Sequence, residues 1–146
     1  MKFLILHGPN INLFGRREPM IYGNTSFDQI NQAVRDLAAE LGVEVEIFQS
    51  NHEGALLDKL QAGIDDYAGC VCNAGALTHT SVALADCLKA MPFPTIEVHI
   101  SNVAKREAFR HHSYLTPVVE GVIAGLGWRG YLLALRWLTE RALTPG

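Results

Sequence analysis

The chain has 146 residues, of which 49% are hydrophobic and only 18% charged, with a formal net charge of −3. That length suits one domain with a core of its own, and that composition excludes a disordered chain. The small negative charge argues against a general nucleic-acid binder, which needs a strongly basic face.

"KFLILH", Lys2 to His7, is apolar on both faces and predicts a central strand of a parallel sheet. Its apolar run is too short for a signal-peptide core. "GRREPMIYGN", Gly15 to Asn24, looks like neither helix nor strand. "SFDQINQAVRDLAAELG" predicts a helix: Ser26 and Gln29 have capping-box spacing, Phe27, Ile30, Val34, Leu37 and Leu41 form one stripe, and Gly42 is the stop. "VEVEIF", 43–48, alternates polar and apolar residues as an edge strand does, and "EGALLDKLQAGID", 53–65, returns to helical spacing. A third strand, "GCVCNA" at 69–74, leads to the helix "TSVALADCLKA" at 80–90. "PTIEVHI", 94–100, and "VEGVIAG", 119–125, complete the strands; "AKREAFRHH", 104–112, and "GYLLALRWLTERAL", 130–143, complete the helices. The expected fold is α/β: a flavodoxin-like, doubly wound, five-stranded parallel sheet in a single domain over 1–146.

Cys70 and Cys72 flank Val71 as C-x-C, which is not C-x-x-C metal or redox spacing, and with Cys87 they read as small core residues. An odd thiol count without a signal peptide fits a reducing cytoplasm. The apolar C-terminal stretch is broken by Arg129, Arg136 and glycines, so no membrane span is expected.

In this fold class ligands bind beyond the carboxyl ends of the strands. Polar groups stand there at His7 to Asn10, at Asn73 to Gly75, at Thr78 to Ser81 and at His99 to Asn102. In "IEVHIS", Glu97, His99 and Ser101 alternate and so share a face; a carboxylate two residues before a histidine holds its tautomer and favours its protonated form. A core pair is the competing reading. Asn73 and Gly75 suit either a ligand or a turn. His79 and Ser81 open the next helix, where anions are attracted, although Thr78 or Thr80 serves equally as a plain N-cap. Arg106 and Arg110, four apart, share a helical face that is either solvated or turned to an anionic substrate. His111 and His112 read as surface or interface groups, and Asp86 as an interface, capping or substrate contact. Tyr22, near Arg16 and Arg17, is either a packed loop residue or a phenol placed beside cations for chemistry. No dinucleotide fingerprint, P-loop, nucleophile elbow or H-E-x-x-H zinc motif is present, so a cofactor-free site is expected.

"GPNINLFGRREPMIYG", "NAGALTHTSVALADC" and "IEVHISNVAKREAFRHHSYLTPVVEGVIAGLGWRGYLLAL", in that order, resemble type II dehydroquinases (3-dehydroquinate dehydratases) over almost the whole chain. The resemblance implies an enzyme without metal or cofactor, twelve subunits arranged as four trimers, and the third step of the shikimate pathway. It implies an anti elimination of water from 3-dehydroquinate through an enolate, with a lid at about 15–24. Tyr22 then matches the base and Arg17 the arginine that lowers its pKa and stabilises the transition state. A downward shift of ~2 units raises the phenolate fraction from ~0.1% to roughly 10% at neutral pH, worth about 2.7 kcal/mol. Asn10 matches the residue holding a water at the enolate oxygen, and His99, oriented by Glu97, matches the acid for the departing hydroxyl. Asn73 with the backbone at Ile100 and Ser101 matches the carboxylate site, and His79 and Arg110 match partners of the ring hydroxyls. Asp86 matches a residue reaching a neighbouring subunit's site, and Arg106 a second arginine of the mobile region. His7 departs from the asparagine of many members; Ile11 and Phe14 replace commoner leucines.

Two other functions compete. A non-catalytic module could bind an anionic metabolite through Asn73, Ser101 and Arg110, with no need for Tyr22 and Arg17 or for His99 and Glu97. A hydrolase built on Ser101 and His99 is weaker, because residues two apart on a strand are too distant for a nucleophile–base bond.

Overall fold

The computed structural model describes residues 1–16 and 18–144, with Pro19 and Tyr22 described by backbone alone. Five strands, β1 (Lys2–His7), β2 (Glu44–Gln49), β3 (Gly69–Asn73), β4 (Thr95–His99) and β5 (Gly121–Ala124), pair in parallel in the order β2-β1-β3-β4-β5. That is the flavodoxin-like order, with the direction of winding switching between β1 and β3. The alternating strand 43–48 lies at the edge as β2, shifted by one residue, and the two apolar strands are central. Each had to follow: an edge strand is wetted on one side, whereas β1 and β3 are covered on both faces.

Period-2 alternation divides the core into two layers. On one face Phe3, Ile5, Val71, Ile96 and Val98 pack against α2 (Phe27–Leu41) and α5 (Arg129–Leu143). On the other, Leu4, Leu6, Cys70 and Cys72 pack against α3 (Glu53–Ala62) and α4 (Val82–Ala90). The three cysteines are free and buried, as small core residues. Among the described residues no helix is long and apolar enough to cross a membrane.

The capping box of α2 forms as expected: the Gln29 N–H donates to Ser26 Oγ and the Ser26 N–H to Gln29 Oε1. Gly42 ends the helix in the left-handed conformation. The N-cap of α4 is Ser81, whose Oγ accepts from the Leu84 N–H at 2.8 Å, and neither Thr78 nor Thr80 takes that place. His79 does not open α4 but ends a 3-10 turn, Gly75–His79.

Two further expectations fail. The helix over 104–112 is instead a pair of 3-10 turns, Val103–Lys105 and Ala108–Arg110. Between them Arg106 is extended, and its carbonyl accepts from the His111 ring at 2.9 Å, a side-chain bond that replaces the next rung of a helix. The segment 15–24 contains one helical turn, α1 (Pro19–Tyr22), begun by the proline.

Candidate active site

The loops after β1 and β3 meet backbone to backbone at the switch point. Gly8 donates its N–H to the Asn73 carbonyl at 2.8 Å, and a Cβ there would lie 2.3 Å from the Ala74 carbonyl oxygen. Gly75 has φ +59°, and its Cβ would come within 2.9 Å of the Pro9 carbonyl oxygen. Asn10 is also left-handed, at φ 68°, a conformation asparagine tolerates better than most residues, and its N–H is fixed by Asn51 Oδ1 at 3.0 Å.

Over this junction lies a cavity of about 140 Å³. Asn10 reaches it from β1, Asn73 and His79 from the segment after β3, and His99, Ile100 and Ser101 from the end of β4. Arg106 and Arg110 close it from the 3-10 turns. The two arginines thus converge without sharing a helical face: both ion-pair with Glu107, at 3.7 Å and 2.8 Å, and Arg106 also approaches Ser101 Oγ at 3.4 Å.

Glu97 lies behind the cavity, 1% exposed, and accepts from His99 Nε2 at 2.5 Å, from Ser113 Oγ at 3.0 Å and from Thr116 Oγ1 at 2.7 Å. Burial pushes its carboxyl pKa up, but the bonds from His99, Thr116 and Ser113 outweigh it and hold the group below its ordinary range. An ionised Glu97 requires a proton on Nε2 of His99, which leaves Nδ1 as the ring's other site for proton exchange. His79 stacks near His99, ring centroids 6.4 Å apart, and donates from Nδ1 to the His112 carbonyl at 2.8 Å. Burial lowers the His79 pKa, with His99 and Arg110 adding to the shift, so its Nε2 is an acceptor at neutral pH.

Asp86 is exposed on α4 and does not line the cavity. Arg17 and the Tyr22 side chain, expected as tuner and base, lie outside the described residues. Sequence reasoning overlooked Ser113 and Thr116, whose one signal was the S-x-x-T spacing of a turn. It also left His7 undecided; that ring is fully buried between Tyr131 and Asn31.

The arrangement offers a cationic wall, a carboxylate-backed histidine and amide donors around a small polar cavity. Among the described residues no lysine lines it, and no group of three His, Cys, Asp or Glu is placed to hold a metal ion.

A family profile described as dehydroquinase class II matches residues 1–139. A 3-dehydroquinate dehydratase of Roseiflexus castenholzii is 56% identical over 147 aligned residues, covering 100% of this chain and 94% of that protein. A 3-dehydroquinate dehydratase 1 of Ralstonia nicotianae is 55% identical over 139, covering 94% of this chain and 89% of that one. The crystal structure of a type II dehydroquinase from Butyrivibrio crossotus superposes with TM-score 0.93 at 44% identity, covering 94% of this chain and 97% of that one.

Proposed function

The chain belongs to the class II dehydroquinase family, and from that premise we propose how it removes water from 3-dehydroquinate to give 3-dehydroshikimate, the third step of the shikimate pathway. The observation that carries the proposal is His99, backed by the buried Glu97, in the lining of a cavity walled by Arg106, Arg110 and Asn73.

The reaction needs a base for the proton alpha to the ketone, a partner for the enolate oxygen and an acid for the departing hydroxyl. As the family match implies, the electrons collect on the ketone oxygen as an enolate. Tyr22, as a phenolate tuned by Arg17, takes the proton, and segment 15–24 acts as the lid that brings both in. Asn10 holds the water that hydrogen-bonds the enolate oxygen. His99 then delivers the Nδ1 proton to the leaving hydroxyl, anti to the proton removed, with Glu97 as its counter-charge. Asn73 and the backbone at Ile100 and Ser101 hold the substrate carboxylate, while His79 and Arg110 meet ring hydroxyls and Arg106 guards the entrance. These roles follow from the match of the residues to the family's motifs and agree with the chemistry of the groups around the cavity. They need no metal or cofactor.

The non-catalytic alternative leaves the His99–Glu97 pair without a purpose, and a Ser101 hydrolase needs Ser101 Oγ on the second His99 ring nitrogen, whereas that hydroxyl is approached by Arg106. For the assembly we propose a dodecamer of four trimers, with Asp86 reaching a neighbouring site. Its exposure on α4 and the exposed apolar Val122, Leu133 and Trp137 are consistent with subunit contacts. The buried free thiols suit a cytoplasmic location.

Ultraviolet absorbance of the conjugated enone tests the base. Tyr22→Phe is expected to lose turnover by orders of magnitude while still binding 3-dehydroquinate; near-native turnover removes Tyr22 from that role.

A further inference from the structure

Beneath the cavity, on the α2/α5 face of the sheet, four side chains form a continuous buried chain. The Gly75 N–H donates to Asn73 Oδ1 at 3.2 Å, and Asn73 Nδ2 donates to Tyr131 Oη at 2.9 Å. Tyr131 Oη lies 2.9 Å from His7 Nδ1, and His7 Nε2 lies 2.9 Å from Asn31 Oδ1. Asn73, Tyr131, His7 and Asn31 are each no more than 5% exposed, so water cannot supply alternative partners.

The Gly75 N–H at one end and Asn31 Oδ1 at the other give this chain one self-consistent direction. A backbone N–H can only donate, so Gly75 commits the Asn73 oxygen as an acceptor and turns its NH2 toward Tyr131. With its oxygen accepting that N–H, the phenol has one proton to give, and His7 Nδ1 receives it. His7 therefore carries its own proton on Nε2 and gives it to Asn31. Burial keeps both rings in the required form: it lowers the His7 pKa to about 4, leaving a neutral imidazole, and raises that of the Tyr131 phenol. Asn73 is left with a single uncommitted polar group, the second hydrogen of its amide, on the residue that lines the cavity.

We propose that His7, Tyr131 and Asn31 are positioning residues that lock the Asn73 amide so that it presents an N–H, and not its oxygen, to the carboxylate of the substrate. This rests on the reading of Asn73 as part of the carboxylate site. An inverted amide would set its NH2 against the Gly75 N–H and aim an acceptor at an anion, so the relay acts on substrate affinity more than on the chemical step.

Tyr131→Phe and His7→Leu each break one link without touching the cavity. Each is expected to raise KM for 3-dehydroquinate about tenfold, the scale of one hydrogen bond to a charged group, with kcat little changed. In an Asn73→Ala background the same substitutions should add nothing further to KM. Native KM in folded variants, or an equal rise in both backgrounds, overturns the relay. If Asn73→Ala alone leaves KM unchanged, it is the carboxylate reading that fails; if it raises KM and the other two do not, only the relay fails. The native protein gives a readout that needs no variant: nitrogen NMR of the His7 ring should show Nε2 protonated and Nδ1 bare at neutral pH. A proton on Nδ1 contradicts the proposal.

Discussion

Glu97 receives three hydrogen bonds in a dry setting, so its replacement tests orientation separately from packing. Glu97→Gln keeps the volume but removes the charge opposite His99, and its NH2 finds an acceptor only in the Thr116 or Ser113 hydroxyl, never in the His99 Nε2–H. We expect kcat to fall about 10²-fold or more, on the scale of lost general acid catalysis, with KM changed far less, by steady-state kinetics. If Arg17 tunes Tyr22 as proposed, Arg17→Ala should depress the chemical step and move the rising limb of the pH–rate profile to higher pH, the direction expected when a phenol loses a cation. An unmoved limb would free Arg17 of the tuning role. At this scale much was legible: a carboxylate and a histidine two apart on a strand must share a face, and they bond as that periodicity requires. The partners of Glu97 were not, because Ser113 and Thr116 come from a distant turn whose approach depends on tertiary packing. Nor was the setting of His7, since nothing local says that one face of β1 ends between a phenol and an amide.

The strands and long helices were legible as elements because apolar periodicity and caps agree with each other along them. The segment 104–112 was not. Its residues have adequate helix propensity, but the His111 ring takes the Arg106 carbonyl, a bond between side chain and backbone that no periodicity reports. The loops after β1 and β3 depend on glycine for a steric reason that the sequence only hints at. Gly8→Ala drives a methyl group into the Ala74 carbonyl, backbone against backbone, so neither side can yield cheaply. A loss of about 1–3 kcal/mol, typical of overpacking, is expected in denaturant melts, with weakened substrate affinity as Asn10 and Asn73 separate. Ser26→Ala, at a residue that does not line the cavity, removes one half of a capping box and should cost about 1 kcal/mol in the same melts.

Across the molecule, two polar arrangements approach one cavity from opposite faces of the sheet: Glu97 with His99 on the α3/α4 side, and the His7 relay on the α2/α5 side. The second couples folding to pH. His7 titrates near its ordinary 6.5 when unfolded and at about 4 when folded. At pH 7 both states leave the ring neutral; below 6.5 the unfolded chain takes up a proton that the folded chain refuses. Stability is therefore lost as pH falls from about 6.5 to about 4, by on the order of 3 kcal/mol, and this contribution levels off below that. Glu97, held below its ordinary range, loses its contribution at lower pH. The difference in unfolding free energy between the native protein and His7→Asn, followed across pH 4–7, isolates the His7 slope; parallel curves would refute it. The account as a whole turns on the chemistry of the cavity, and turnover of 3-dehydroquinate tests it most directly. Chelator-treated native protein should form the conjugated enone at a rate proportional to protein, and folded His99→Ala should be slower by orders of magnitude. No enone from the native protein, or undiminished enone from the variant, would contradict it.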